Sequence, residues 1–484
     1  MSFNASQKRL LTGMLARAAA GFICAVIATS SFAQSTLPPE IEQAWRSTGL
    51  PESSLSLQVQ EINGPVLFSS NADQARNPAS VMKMVTTWSG LLALGPEYRW
   101  RTAFMAENEG RIDDQGSLIG PLYIKASGDP MFTPANLWEM LRELRMRGVK
   151  NLSKVVVDRS VFGRVAINTA AFDGAGDRPY NASPDAMMIG LGAVRLMFYP
   201  DKKGKKWVPV IDPPLPGVRF TGELEWRNGS CPGVPSVGLD INRQGNNVLL
   251  NLSGQAASSC GQFSIWRLVL TQDDHFDRLF RLLWRELGGT ISGAVESGAV
   301  PSSAKAMVWH VSDSVSDVIR QINKQSNNVM ARTMLLTIGA ELNGPGATPS
   351  SAASATMALL RSKGVNTAGW SIENGSGLSR TGRLTANGLA GMLSLAWNSP
   401  LMPEFVSSLA ISGTDGTLRR RLNKDPASGM AHLKTGTLRD SRALAGYVMS
   451  ENGKRYILVS MVNHANAIAA RKFEDALVNW LVTR

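Results

Sequence analysis

Three short polar motifs, far apart along the chain, decide what it can fold into. The stretch "ASVMK" puts Ser80 and Lys83 one helical turn apart, at the entry to a run in which Val81, Val85, Trp88 and Leu92 recur at helical spacing until Gly95-Pro96 stops it. An isolated S-x-x-K is usually a capping serine beside a snorkelling lysine, and Ser302 and Lys305 repeat the spacing. Chemistry separates the two pairs. A serine hydroxyl is a weak nucleophile until a base takes its proton, and lysine is that base only when neutral, a state favoured by burial and by a second cation in the same cleft. K-T-G, which occurs once, offers that cation in Lys434 on a predicted strand, and S-N-N, Ser326 to Asn328, lies between two predicted helices. S-x-N alone is a weak signal, since it also starts at Ser2, Ser69 and Ser450. Ser80 and Ser326 lie more than twice as far apart as Ser326 and Lys434. If all three motifs line one cleft, the chain must leave the catalytic domain after the first and return before the second.

The patterning agrees with such an excursion. Alternation around Asn63-Gly64 predicts a β-hairpin just before the Ser80 helix. "LWEMLRELRMRGVKNLSKVVVD" and "DRLFRLLWRELGGTISGAV" each predict an amphipathic helix, a glycine stop and a strand, on either side of a Pro- and Gly-rich stretch of alternating strand pattern. Near the end, "AHLKTGTL", "RALAGYVMS" and "RYILVSMVNH" predict antiparallel strands, and "RKFEDALVNWLVTR" a packed terminal helix with Phe473, Leu477 and Leu481 on one face. The expected organisation is a catalytic domain from 34–97 plus 307–484, an inserted α/β domain from 98–206 plus 269–306, and a small β-rich insert from 207–268. At 484 residues, the chain is too long for one core.

Residues 1–33 are set aside. Lys8, Arg9 and Arg17 precede the apolar run "AAAGFICAVIATS", and "SFA" before Gln34 offers small residues for cleavage, as in a secretory signal peptide. The run is shorter than the roughly 20 residues that span a bilayer. Cys24 leaves with this leader, so Cys231 and Cys260 remain as an even pair in an oxidising compartment, where a disulfide is expected. The formal net charge is +12, and loss of the leader keeps the chain basic. That suits an anionic cell-wall polymer or membrane surface better than nucleic acid, because "DKKGKK" and "RRRL" carry no interleaved aromatics for base stacking. The four histidines are scattered, with no H-E-x-x-H and no C-x-x-C, so no metal and no cofactor are expected. No G-x-S-x-G elbow exists, which argues against an α/β-hydrolase.

Ser80/Lys83, Ser326/Asn328 and Lys434-Thr435-Gly436 resemble the three motifs of the penicillin-binding proteins and serine β-lactamases. The long first gap, with "SGDPMFT", "NGSGLSR", "GTDGTLRRR" and "KTGTLRDSRALAGYV", is similar to the penicillin-binding protein 4 type of D-alanyl-D-alanine carboxypeptidase and endopeptidase, the low-molecular-mass class C serine peptidases. The resemblance implies an α/β (α+β) fold: a β-lactamase/transpeptidase-like domain, antiparallel sheet flanked by helices, carrying a large α/β insertion. It implies a periplasmic hydrolase whose partners are peptidoglycan stem peptides and cross-links, with β-lactam antibiotics as covalent inhibitors. Ser80 would attack the penultimate D-alanine carbonyl with Lys83 as base, and water would hydrolyse the acyl-enzyme. Ser326 would relay a proton to the departing amine, and Asn328 would hold Lys83 and the substrate amide in register. Lys434, Thr435 and Thr437 would take the terminal carboxylate. The backbone N–H groups of Ser80 and Thr437 would form the oxyanion hole, with Gly436 allowing close approach. Asp158 is expected to meet the amine of a diamino acid side chain and Arg380 to line the same region, while Asp129 of "SGDP" is expected to do turn chemistry. Competing readings are a serine β-lactamase or esterase on the same fold and a non-catalytic wall-binding scaffold. A homodimer and loose membrane adhesion of the basic face are both compatible with the sequence.

Overall fold

The computed structural model describes residues 37–484 apart from 166 and 234; the expected leader lies outside the described residues. The predicted hairpin forms from Leu55–Glu61 and Val66–Ser70, with Asn63 in the left-handed region at its tip. It joins a six-stranded sheet in the order Ala410–Ile411, Ala431–Leu438, Ser441–Met449, Arg455–Asn463, Leu55–Glu61, Val66–Ser70, antiparallel throughout. The first strand of the chain therefore pairs along its whole length with the last, from Leu55 against Val462 to Glu61 against Tyr456.

Both faces of this sheet are covered, which is why its central strands read as nearly unbroken apolar runs. Alternate residues serve different cores. Leu444, Val448, Leu458 and Val462 pack with Pro39–Arg46 and Arg471–Val482, through Ile41, Trp45, Phe473, Leu477 and Leu481. Ala443, Ala445, Ile457, Val459 and Met461 pack on the opposite side with Met82–Leu94, Val315–Lys324, Asn328–Asn343 and Ala386–Trp397. The terminal helix is thus a core element. Leu477→Ala, at a fully buried position, is expected to cost about 2–5 kcal/mol in chemical denaturation, with the labelling of Ser80 intact in the folded fraction.

After the Ser80 helix the chain leaves along Arg99–Ala106 and returns along Lys305–Ser314, and these two strands pair antiparallel. Exit and entry are neighbours, so a long insertion leaves the flanking elements in place. The boundary expected at 307 falls inside this return strand, because Lys305 already pairs with Ala106. The two strands edge a five-stranded mixed sheet in the order Val295–Ser297, Val155–Asp158, Leu122–Lys125, Arg99–Ala106, Lys305–Ser314. Pro134–Met146 and Gln272–Glu286, the two predicted amphipathic helices, supply Leu137, Leu141, Leu144, Phe276, Leu279 and Phe280 to its core.

The β-rich segment starts earlier than 207. Val194–Asp201 pairs with Lys206–Asp212 and Phe263–Arg267 in a three-stranded sheet, in which Phe198 stacks on Phe263 and Phe263 packs edge-on against Trp207. A second sheet holds Val218–Gly222, Glu225–Arg227, Ser236–Gln244 and Asn247–Ala257, and Cys231 and Cys260 are disulfide-bonded beside it.

Candidate active site

Met82–Leu94 is buried on every side from Met82 to Leu91, because both the sheet and the helices Val315–Lys324 and Asn328–Asn343 press on it. Lys83 is therefore fully buried. A single turn of 3-10 helix, Ala79–Val81, leads into it, and Ala79 sits at φ +46°, a costly conformation for a residue with a side chain. The neighbourhood holds it there. Asn77 Oδ1 accepts from the Ala79 N–H at 2.9 Å, Asn463 Oδ1 accepts from the Asn77 N–H at 2.7 Å, and the Asn77 carbonyl accepts from Ser441 Oγ at 2.6 Å and Asn463 Nδ2 at 3.0 Å. The turn that presents Ser80 is thereby tied to the sheet.

Two glycines let backbone crowd this turn. A Cβ on Gly436 would stand 2.6 Å from the Pro78 carbonyl oxygen and 3.1 Å from the Ser80 nitrogen, and one on Gly377 would stand 1.8 Å from the Ala79 carbonyl oxygen. The strand Ala431–Leu438 thus runs against the backbone of Ser80 at Gly436, one residue before Thr437.

Three oxygens surround the Lys83 amine: Ser80 Oγ at 3.0 Å, Asn328 Oδ1 at 2.6 Å and the Ser376 carbonyl at 2.5 Å. A neutral amine has two N–H bonds and one lone pair. In that neutral state Asn328 Oδ1 and the Ser376 carbonyl, which only accept, take the two N–H bonds and leave the lone pair for the Ser80 O–H. Burial first, then the charges of Lys434 and Arg332, hold the Lys83 pKa well below its ordinary value. Of the two causes expected from the sequence, burial and a like-charged neighbour, desolvation is the larger.

Lys434 is also fully buried, and burial lowers its pKa to about 7. Its Nζ donates to Ser326 Oγ at 2.9 Å and to the Thr435 carbonyl at 3.0 Å. Ser326 occupies the left-handed region at φ +56°, which the short link between two helices requires; Asn327 then caps the second helix through the Met330 N–H, and Asn328 is that helix's first residue. Thr435 Oγ1 donates to Thr417 Oγ1 at 2.9 Å, while Thr437 is exposed. Ser80, Lys83 and Asn328 are thus linked by hydrogen bonds, as separately are Ser326 and Lys434, with Thr435, Gly436 and Thr437 along the adjoining strand.

Asp158 and Arg380 lie apart from that linked set. The Asp158 carboxylate accepts from Lys125 Nζ at 2.8 Å and from the Val300 and Ser160 amides, and its pKa falls to about 2 against an opposing desolvation effect that is the largest single influence. Arg380 pairs with Asp440 at 3.2 Å and stacks on Phe172 at 4.2 Å. Asp129 accepts from the Met131 N–H, as turn chemistry requires, and also meets His310 Nε2 at 3.2 Å. Sequence reasoning missed Ser376, whose carbonyl leaves no side-chain signal, and Arg332, an ordinary polar letter in a helix. Among the described residues no cluster of His, Cys, Asp or Glu is placed to hold a metal ion.

The D-Ala-D-Ala carboxypeptidase 3 (S13) family model matches residues 38–484. The chain is similar to the D-alanyl-D-alanine carboxypeptidase of Actinomadura sp. (strain R39), 26% identical over 437 residues that cover 84% of this chain and 77% of that one. It is similar to the D-alanyl-D-alanine carboxypeptidase DacB of Haemophilus influenzae, 23% identical over 419 residues, 86% of each chain. The crystal structure of penicillin binding protein 4 from H. influenzae superimposes with a TM-score of 0.76 at 22% identity, covering 92% of this chain and 99% of that one, and the same protein complexed with a novel β-lactam with a TM-score of 0.74.

Proposed function

This chain belongs to the D-Ala-D-Ala carboxypeptidase 3 (S13) family, matched over nearly its whole described length, and from that premise we propose that it is a serine D-alanyl-D-alanine carboxypeptidase and endopeptidase of the periplasm, acting on peptidoglycan stem peptides and cross-links through an acyl-enzyme on Ser80. The observation that carries the reading is the Lys83 amine, buried, with two carbonyl acceptors for its N–H bonds and its third contact to Ser80 Oγ. Among the described residues this buried amine forms no ion pair with a carboxylate, which suits a base rather than a structural cation.

In the proposed reaction Ser80 Oγ attacks the carbonyl carbon of the penultimate D-alanine as its proton passes to Lys83. The oxyanion gathers at the backbone N–H groups of Ser80 and Thr437. The C–N bond breaks as Lys83 returns its proton, by way of Ser326, to the leaving amine, so that Lys83 is neutral again and Lys434, which touches Ser326, keeps its charge. That amine belongs to free D-alanine in the carboxypeptidase reaction and to the neighbouring stem's diamino acid in the endopeptidase reaction. Water, deprotonated by Lys83, then hydrolyses the ester. Lys434 meets the terminal carboxylate, the group a β-lactam also presents. The leader-like residues 1–33 support export. The H. influenzae relative, complexed with a novel β-lactam, supports the expectation that β-lactams bind here.

Incubation of the purified chain with a pentapeptide muropeptide is expected to release D-alanine, and penicillin is expected to leave a long-lived adduct on Ser80 visible by intact mass. A chain that turns penicillin over rapidly and releases no D-alanine is a β-lactamase instead. The two lysines also predict the pH profile. Turnover needs Lys83 neutral, which is gained as pH rises through its depressed pKa, and Lys434 cationic, which is lost as pH rises through about 7 in the free enzyme. We therefore expect a bell-shaped kcat/KM whose alkaline limb begins near neutrality, and a flatter alkaline limb in kcat, since a bound carboxylate keeps Lys434 charged.

A further inference from the structure

Arg332 is a buried guanidinium without a carboxylate. It is 5% exposed, forms no ion pair among the described residues, and its buried Nε has no hydrogen-bond partner there. Glu373 is near enough to favour its charge but does not reach it. Leaving a cation so poorly matched costs stability, so its surroundings should show what it does.

They do. Its Nη1 donates to the carbonyls of Tyr180 and Ala182, at 3.2 and 2.9 Å, on a segment of the inserted lobe. One helical turn earlier on the same helix, Asn328 Nδ2 donates to that same Tyr180 carbonyl at 3.4 Å, while its Oδ1 accepts from Lys83 at 2.6 Å. The Tyr180 carbonyl therefore decides which end of the Asn328 amide faces the amine. Because a carbonyl can only accept, it turns Nδ2 outward and Oδ1 inward. On the solvent side the segment Pro179–Asn181 is braced by Asp173, which accepts from Tyr180 Oη at 2.9 Å and from Asn181 Nδ2 at 2.8 Å.

We propose that Arg332 is a positioning residue for the reaction: by clamping the Tyr180–Ala182 carbonyls it makes the inserted lobe part of the catalytic apparatus, fixing the Asn328 amide and adding positive charge that keeps Lys83 a base. The inference rests on the acyl-enzyme reading above. The charged groups facing Lys83 are Lys434 from the strand Ala431–Leu438 and Arg332 from the helix Asn328–Asn343, with Glu373, near the loop whose Ser376 carbonyl caps the amine, acting on Arg332.

The test is the second-order rate of Ser80 acylation by a fluorescent penicillin, measured from acid to alkaline pH on the full chain, with thermal unfolding in parallel. Arg332→Met is expected to lower the plateau rate roughly ten- to a hundredfold, through misplacement of Asn328, and to move the acidic limb to higher pH, since removing a like charge raises the Lys83 pKa. Arg332→Lys keeps the charge and is expected to keep the limb. Asp173→Ala, which loosens the segment from outside while Arg332 stays, is expected to lower the plateau. A folded Arg332→Met with the unaltered chain's plateau and limb overturns the inference, as does a limb shifted equally in Arg332→Lys. An unchanged plateau in Asp173→Ala overturns the segment's role even where Arg332→Met fails to fold. Failure of the unaltered chain to label at Ser80 would instead remove the acyl-enzyme reading, so the two failures are distinguishable.

Discussion

Lys83→Met is expected to lower Ser80 acylation by about two to four orders of magnitude, the usual contribution of a general base, while the protein keeps or gains stability. Methionine fills the same buried channel without an amine. The substitution leaves Asn328 Oδ1 and the Ser376 carbonyl without the donor they now have, about 1–3 kcal/mol for each buried orphan. Against this stands the penalty carried by the lysine itself. Its folded pKa lies well below the unfolded value of 10.5, so the unfolded chain binds the extra proton. That penalty is absent above 10.5, grows as pH falls, and is complete below the folded pKa. The stability of Lys83→Met relative to the unaltered chain should therefore increase as pH is lowered from 11 to 6, measured by denaturant unfolding at several pH values. A variant that acylates at the original rate would show that another group deprotonates Ser80; a pH-independent stability difference would show that the amine is charged in the fold.

Gly436→Ala is expected to lower kcat and the acylation rate about 10²- to 10³-fold, the scale of losing one oxyanion donor. The added methyl meets backbone, namely the Pro78 oxygen at 2.6 Å and the Ser80 nitrogen at 3.1 Å, and cannot be accommodated by a rotamer change. Either the strand withdraws, taking the Thr437 N–H from the site, or the turn moves, taking Ser80. Overpacking of this kind costs about 1–3 kcal/mol, so the protein should still fold. Penicillin labelling and D-alanine release should fall together. Unimpaired labelling in a folded variant would mean that the Thr437 amide has no part in the chemistry.

What the sequence made legible follows from which forces are local. The Ser80 helix, the Asn63-Gly64 hairpin and the terminal strands are written in periodicity, because helix and strand each impose one on the residues they bury. The three motifs could be picked out by chemistry together with their order, their context and a family resemblance, and the structure joins Lys83 to Asn328 and Lys434 to Ser326 directly. Backbone groups were out of reach: nothing in the letters distinguishes the Ser376 or Tyr180 carbonyl from any other. Arg332 was unreadable for a related reason, since its partners are the backbone carbonyls of Tyr180 and Ala182, remote in sequence. The misplaced start of the β-rich segment has the opposite cause. Val194–Asp201 has a clear alternating burial, but it lies among turn-rich residues and pairs with Phe263–Arg267, a partner remote in sequence.

The pairing of Leu55–Glu61 with Arg455–Asn463 has a consequence in time. A polypeptide is made and threaded from its amino end, so the hairpin and the Ser80 helix emerge early and must wait for a mate at the far end of the message. Residue 463 has to appear before the sheet can close and before Lys434 can be laid beside Ser326. Such remote pairing folds slowly and exposes a strand edge meanwhile. A product that stops before Arg455–Asn463 lacks the strand that joins Ser441–Met449 to Leu55–Glu61, so its sheet is left in two parts.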